Sequence, residues 1–328
     1  MHLAVTMPHG MAAHGDVVAL GLPAIVVHGG AGVFSAVESD EDAGVLIAAL
    51  EQAVDAGWGV LEGGGAALDA VVGAVSGLED SGRFNAGRGA VPTADGTVEM
   101  DASVMDGSSG LVGAICAGTY PANPVRAARA VAGAGGVPDG PVLLAGEGAD
   151  RFCREQGLDE MRPELLNGHP AADDAPPLGG GGLSRATSSD APFSTEGTVG
   201  AVAVDAAGHV AAATSTGGRA GQRRGRVGDS PIPGAGVLAV PSGIAVSATG
   251  AGEAFMVAGF AHRVVWAVEA GSGLEAAVGA ALEAVGRLGG TGGGIAVDAR
   301  GDMVAIFTSP AMARAWRGSD RRGAHLFA

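Results

Sequence analysis

The first clear pattern along the chain is a short apolar run, residues 24–28, that stops at a glycine cluster of Gly29, Gly30 and Gly32. A run of that length bounded by glycine predicts a buried strand followed by a turn. From Glu41 to about Leu61 the apolar residues recur at helical spacing. Acidic residues stand at the start of that stretch, where a helix dipole favours negative charge. Further helices are expected over about 66–78, 123–132 and 147–156, with a strand at 111–117.

From about Gly157 to Gly197 the periodicity fades, and HPAADDAPPLGGGGLSRATSSDAPFSTEG is rich in Pro, Gly, Ser and Asp. Such a composition buries too little apolar surface to offset its ordering entropy. It reads as a flexible linker, or as a segment whose end is released by cleavage. Alternation then returns, with strands at 198–205 and 209–215 joined by Ala206-Ala207-Gly208, and a second pair at 236–240 and 243–248. Helices at about 251–269 and 273–288 follow, and then a hairpin of 293–298 and 302–308 turning at Gly301. Hairpins with grouped helices argue for an α+β fold of mixed sheets covered by helices rather than a doubly wound parallel sheet.

Composition narrows the function. Of 328 residues 47% are hydrophobic but only 4% aromatic, and 60 are glycine, so the core is built from Ala, Val, Leu and Ile. The net charge is −16 and Arg supplies all 19 basic residues, which disfavours nucleic-acid binding and removes lysine chemistry. Cys116 and Cys153 read as two buried thiols rather than a disulfide framework. The N-terminus makes a poor signal peptide, and every apolar run is broken by Gly, His or charge before it reaches membrane-spanning length. A soluble cytoplasmic protein without nucleic-acid or membrane partners is expected.

Several motifs lead nowhere. His28-Gly29-Gly30-Ala31-Gly32 looks like a lipase oxyanion turn but has no G-x-S-x-G to accompany it. There is no H-E-x-x-H, and the eight histidines are scattered, so a zinc site is not expected. Thr198, taken alone, is an ordinary strand-opening threonine. It gains weight from its place after the linker and Gly197, and from the polar clusters that follow at Thr214-Ser215-Thr216, Arg226-Val227-Gly228-Asp229 and Thr249-Gly250-Ala251-Gly252.

These clusters belong to longer stretches, namely VVHGGAG (26–32), FNAGRGAVPTADGTVEMDASVMDG (84–107), GTVGAVAVDAAGHVAAATSTGG (197–218), GRVGDSPIPGAG (225–236) and SATGAGEAF (247–255). In that order they resemble the plant-type asparaginase family of N-terminal-nucleophile hydrolases, which includes isoaspartyl peptidases and glycosylasparaginases. The resemblance implies a four-layer αββα sandwich and a precursor that cuts itself between Gly197 and Thr198. Residues 1–197 and 198–328 would then form the two subunits of one folded domain. Once N-terminal, Thr198 carries an α-amine with a reference pKa of about 8, which can serve as base for its own hydroxyl.

By the same resemblance Thr216 supports the nucleophile, and Arg226 and Asp229 clamp the substrate's free amino-acid end, with Val227 and Gly228 between them. A guanidinium grips a carboxylate through two hydrogen bonds, and a carboxylate accepts from an ammonium. Thr249 and Gly250 correspond to oxyanion donors. Gly252 corresponds to a pocket residue, and Ala251 stands where the family often has Thr or His. Asn85 corresponds to a residue that orders the site. The backbone carbonyls of Leu78, Glu79, Ser81, Phe84, Ala86 and Arg88 resemble a sodium-binding loop, and no cofactor is implied for catalysis. The implied substrates are L-asparagine and β-aspartyl dipeptides, and the implied assembly is a homodimer of cleaved units. A glycosylasparaginase is the alternative on the same fold, although those enzymes usually carry Asp before the threonine. An unprocessed homologue acting as a binding protein is the alternative of another kind.

Overall fold

A computed structural model describes residues 2–6, 12–34, 37, 39–162, 166 and 197–327. Most of the expected linker over 157–197 therefore lies outside the described residues. In chain order the strands of the first half are β1 (His2–Thr6), β2 (Ala12–Ala19), β3 (Ala24–Gly32), β4 (Met100–Asp106), β5 (Val112–Gly118) and β6 (Leu143–Ala145). The second half adds β7 (Val199–Val204), β8 (Val210–Thr216), β9 (Val237–Val240), β10 (Ile244–Gly250), β11 (Gly292–Asp298), β12 (Asp302–Phe307), β13 (Ala311–Gly318) and β14 (Arg322–His325). They form two sheets, one ordered β1-β2-β12-β11-β10-β9 and the other β14-β13-β3-β7-β8-β4-β5-β6. Every pairing is antiparallel except β5 with β6. The fold is α+β with mixed strand direction, as the hairpin pattern predicts.

Helices α1 (Asp40–Glu62), α2 (Ala67–Ser81), α3 (Pro124–Gly133) and α4 (Gly146–Glu155) pack on the larger sheet. Helices α5 (Gly252–Ala258), α6 (Phe260–Glu269) and α7 (Leu274–Arg287) pack on the smaller one, and β10 and β11 meet β3, β7 and β8 across the space between the sheets. Strand period two explains the continuous apolar reading of β7. Val199, Ala201 and Ala203 enter the core under α1 and α2, while Val202 and Val204 enter the core shared with the second sheet.

Helix α1 starts at an Ser39 N-cap whose hydroxyl accepts the Asp42 N–H at 3.2 Å, with Asp40, Glu41 and Asp42 in its first turn. It is long and apolar enough to cross a membrane by length and composition. In this fold it lies against α2, β3 and β13 and buries Leu46, Leu50, Val54, Trp58 and Leu61. Both cysteines are buried and free, as expected.

The structure corrects the expected helix over 251–269. Gly259 takes a left-handed conformation, φ +62°, which ends α5 and starts α6 in a new direction. Sequence periodicity also missed β1, β2, β4, β6, β13 and β14. Two of these hold a buried ion pair that disguises them. Arg314 of β13 is fully buried, and its Nε donates to the Asp16 carboxylate of β2 at 2.6 Å. Its Nη1 donates to the carbonyls of Met312 and Phe327, and the guanidinium lies 5.0 Å from the Phe307 ring centroid. Removing one member of a buried pair strands the other charge, so Asp16→Ala should cost about 3–5 kcal/mol, measured by urea denaturation.

Candidate functional site

Thr198 stands one residue before β7, buried, at the head of a strand held between β3 and β8. The register of β7 on β8 pairs Val199 with Ser215, which sets Thr216 opposite Thr198 one step past the ladder. The structure thus brings the two threonines together without joining their hydroxyls. Thr198 Oγ1 lies 3.2 Å from Ser230 Oγ, whereas Thr216 Oγ1 accepts the Gly218 N–H at 3.0 Å. Ser230 was not singled out by sequence reasoning; a serine in a Pro- and Gly-rich loop reads as a turn residue. Its own carbonyl accepts the Ser103 hydroxyl at 2.6 Å, which ties the loop to β4.

Thr249, the penultimate residue of β10, is fully buried, and its Oγ1 accepts two backbone N–H groups, from Thr198 at 3.1 Å and from Ala31 at 3.2 Å. With both lone-pair directions taken, its single proton is left to donate. Gly250 and Ala251 follow at the turn into α5, and the Ala251 N–H donates to the Thr291 carbonyl at 3.0 Å. On the opposite side Gly197 adopts φ +147°, and a Cβ there would come within 2.6 Å of the Gly30 Cα. The glycines after His28 therefore press against the bond that precedes Thr198.

Arg226 and Asp229 converge over Gly252. A Cβ on Gly252 would lie 2.9 Å from Asp229 Oδ1 and 3.0 Å from an Arg226 terminal nitrogen, so no larger residue fits without displacing both. The Arg226 Nε donates to Glu253 at 2.9 Å and its Nη1 to Gln222 Oε1 at 3.3 Å. Asp229 is 3% exposed and its Oδ2 has no hydrogen-bond partner among the described residues. Burial pushes its carboxyl up to about 7 against the pull of Arg226. Val227 is half-buried between them, and the Gly228 N–H donates to Asp101 Oδ2 at 3.3 Å. A cavity of about 580 Å³, lined in part by Glu99, Thr119, Asp150, Arg224 and Gly225, adjoins this loop.

Asn85 pins the turn after β8. Its Nδ2 donates to the Gly218 carbonyl at 2.7 Å, its Oδ1 accepts the Val91 N–H at 3.1 Å, and its backbone carbonyl accepts the Gly217 N–H at 2.9 Å. Leu78, Glu79, Ser81, Phe84, Ala86 and Arg88 run from the last turn of α2 into the loop after it. The carbonyls of Leu78, Phe84 and Ala86 each accept a local hydrogen bond, which leaves each a second lone pair. The Glu79 side chain points elsewhere, accepting from the Val125 N–H at 2.9 Å and the Ser215 hydroxyl at 2.6 Å, and burial raises its carboxyl to about 8. Among the described residues, no three His, Cys, Asp or Glu side chains are grouped to hold a metal.

The sequence as a whole is similar to known proteins. The family model described as Asparaginase matches residues 21–326, and the chain belongs to that family. It is 41% identical over 299 residues to an isoaspartyl peptidase of Salmonella typhimurium, covering 89% of this chain and 94% of that one. It is 40% identical over 304 residues to an isoaspartyl peptidase of Escherichia coli, covering 90% and 93%. A plant-type L-asparaginase of Pyrobaculum calidifontis is 41% identical over 298 residues, covering 89% and 96%.

The buried carboxyls give stability a definite pH dependence. Glu79 at about 8, Asp229 at about 7 and Asp101 at about 6 all stand above their unfolded values, so each binds a proton more readily folded than unfolded. Stability from these groups is lost as pH rises through 6 to 8. His28, pushed down to about 3 by burial, opposes this only below its unfolded value of 6.5. Calorimetry should give a higher Tm at pH 6 than at pH 8, and an equal or lower Tm at pH 6 would refute the assignment. Gly252→Ala should separately raise KM with little change in Tm, since its new methyl enters the space between Arg226 and Asp229.

Proposed function

We propose that this chain hydrolyses the side-chain amide of L-asparagine and of β-aspartyl dipeptides, with Thr198 as nucleophile once the Gly197–Thr198 bond is broken. The observation that carries the proposal is the convergence on Thr198: its backbone nitrogen on Thr249, its hydroxyl on Ser230, and Thr216 facing it across the ladder. The close contact of Gly197 with Gly30 supports cleavage at that bond, because the residue before the nucleophile is held in a conformation that favours glycine. Residues 1–197 and 198–328 then remain one folded unit, since β7 of the second piece pairs with β3 of the first. The two sheets in contact, each with helices on its outer side, support a four-layer αββα sandwich.

In the reaction the freed α-amine takes the Thr198 hydroxyl proton as Oγ1 bonds to the substrate's side-chain carbonyl carbon. Charge developing on the carbonyl oxygen meets the spare proton of Thr249 and the N–H of the Gly250 segment. The α-ammonium returns the proton to the departing amine, the C–N bond breaks, and a β-aspartyl ester stays on Thr198. Water, deprotonated by the same amine, splits the ester and releases aspartate. Arg226 takes the substrate α-carboxylate in exchange for Glu253, and the unpartnered Asp229 Oδ2 takes its α-ammonium.

Two structural features accompany this reading. The carbonyl-rich loop of residues 78–88 suits a structural sodium ion, a hard cation that binds oxygen. The exposed Val257 and Leu288 line one cavity of about 360 Å³ beside Ala251 and Glu253, which supports pairing of cleaved units as a homodimer. Free buried thiols fit a reducing compartment such as the cytoplasm.

Purified protein should run as two bands, the smaller beginning TVGAV. Thr198→Ala should stay full-length and release no aspartate from β-Asp-Leu, asparagine or a glycosylated asparagine. Residual hydrolysis by that variant would remove Thr198 from the mechanism, and preference for the glycosylated substrate would favour the glycosylasparaginase reading. Arg226→Ala should raise KM at least about tenfold, the scale of one lost charge-assisted contact.

A further inference from the structure

Strand β4 carries a carboxylate into the sheet that the reaction above does not use. Asp101 is 3% exposed, and the pairing of β4 with β5 shifts register between Met100 and Ala102, so Asp101 sits at the irregularity. Such a bulge re-aims the side chain of the displaced residue. Its Oδ1 accepts the Ala117 N–H at 2.7 Å and its Oδ2 accepts the Gly228 N–H at 3.3 Å. Ala117 is held at φ +47°, a left-handed conformation unusual for a residue with a Cβ. On the other edge of β4, Asp101 pairs with Thr216 of β8.

One residue therefore joins three parts of the site: its backbone pairs with the strand that ends in Thr216, and its carboxylate holds the strained end of β5 and the loop that bears Arg226 and Asp229. Gly228 lies between those last two residues, so its N–H fixes the segment on which both side chains are mounted. We propose that Asp101 is a positioning residue for substrate recognition, holding the Gly228 amide so that Arg226 and Asp229 keep the separation a free α-amino-acid end requires. This rests on the reading of Arg226 and Asp229 as the clamp.

The electrostatics agree with the geometry. The charged or titratable groups facing Asp101 are Glu99 on its own strand approach, Cys116 of β5, and Arg226 and Asp229 of the loop. Burial pushes Asp101 up to about 6 even though two N–H groups and Arg226 favour its ionised form. It is ionised at neutral pH and becomes protonated in mild acid, when one of its oxygens ceases to be a free acceptor. The Asp229 carboxyl, at about 7, titrates just above it. Acid should therefore weaken substrate binding through two carboxylates rather than one.

The test is a steady-state comparison of wild type, Asp101→Asn and Asp101→Glu on β-Asp-Leu, each first shown by mass spectrometry to carry a free Thr198 terminus. An amide places a donor against one of the two N–H groups, so Asp101→Asn should raise KM about tenfold with kcat held within about twofold. The acid limb of log(1/KM) against pH should fall with a two-proton slope in wild type and a one-proton slope in Asp101→Asn. Asp101→Glu, which keeps the charge on a longer arm, should restore the two-proton slope and part of the affinity. An unchanged KM with the two-proton slope retained in Asp101→Asn would overturn the proposal, as would a fall in kcat alone. If Asp101→Asn is insoluble, Asp101→Glu decides: a KM raised at least about threefold at constant kcat supports it, and a wild-type KM overturns it. A wild type that releases no aspartate would sink the functional reading and the clamp with it, whereas an active wild type beside an unaltered Asp101→Asn would sink only the positioning role.

Discussion

A polar group buried between two sheets must find a partner, and the site depends on one such line of partners. His28 of β3, Ser247 of β10 and Thr214 of β8 form a chain across the sheet interface, with Nε2 to Oγ at 2.8 Å and Oγ to Oγ1 at 2.8 Å. His28 faces Gly200 in the ladder with β7, and a Cβ at Gly200 would collide with both His28 and Ser247. The missing side chain is what allows the line to form. Burial keeps the imidazole neutral, so it presents one donor and one acceptor rather than a charge. Three strands, β3, β8 and β10, are thereby tied together across Gly200 of β7, two residues beyond Thr198. Because strand side chains repeat every second residue, fixing Ser247 also fixes Thr249 on the same face. Thr249 then meets Ala31 and Thr198.

The composition serves this arrangement. Strands buried on both faces cannot use the alternation of apolar and polar residues that marks a half-exposed sheet. They use small residues instead, which let polar side chains share the interior with the packed core. Val199, Ala201 and Ala203 support β7 from the helix side while Gly200 leaves room on the other. Left-handed backbone occurs just before Thr198, at Gly197, and at Ala117 at the end of β5, two strands beyond β8.

Legibility followed the same physics. The helices α1, α2 and α7 and the strand pairs β7–β8, β9–β10 and β11–β12 were readable because each has one regular period along its length. Strand β4 was not, since Asp101 and Ser103 point inward where a pattern reader expects apolar residues. Strands β2 and β13 were hidden by Asp16 and Arg314, which look like surface charges until each is seen to neutralise the other. The helix over 251–269 failed on a single Gly259, whose left-handed φ leaves no mark on hydrophobic spacing. Motif resemblance singled out Thr198, Thr249, Arg226 and Asp229, which the structure brings near one another, and assigned nothing to Ser230 or Asp101. Their contacts depend on which backbone N–H or hydroxyl they meet, and that is a property of register rather than of residue type.

The charge arrangement around Arg226 carries the synthesis one step further. Glu99, Asp101, Asp229 and Glu253 lie around a loop whose cations are Arg219, Arg223, Arg224 and Arg226, of which Arg219 and Arg226 both reach Glu253 and Arg224 reaches Glu99. A ligand with a carboxylate alone would leave Asp229 Oδ2 buried without a partner. A ligand that brings an ammonium beside its carboxylate can replace Glu253 on Arg226 while supplying the positive charge that Asp229 lacks. Desolvation that holds the Asp229 carboxyl near 7 makes that second contact strong, because a buried carboxylate gains more from a cation than an exposed one does. The proposed selectivity for a free α-amino-acid end thus follows from one buried carboxylate oxygen, Asp229 Oδ2, left without a partner beside a guanidinium that can exchange its own.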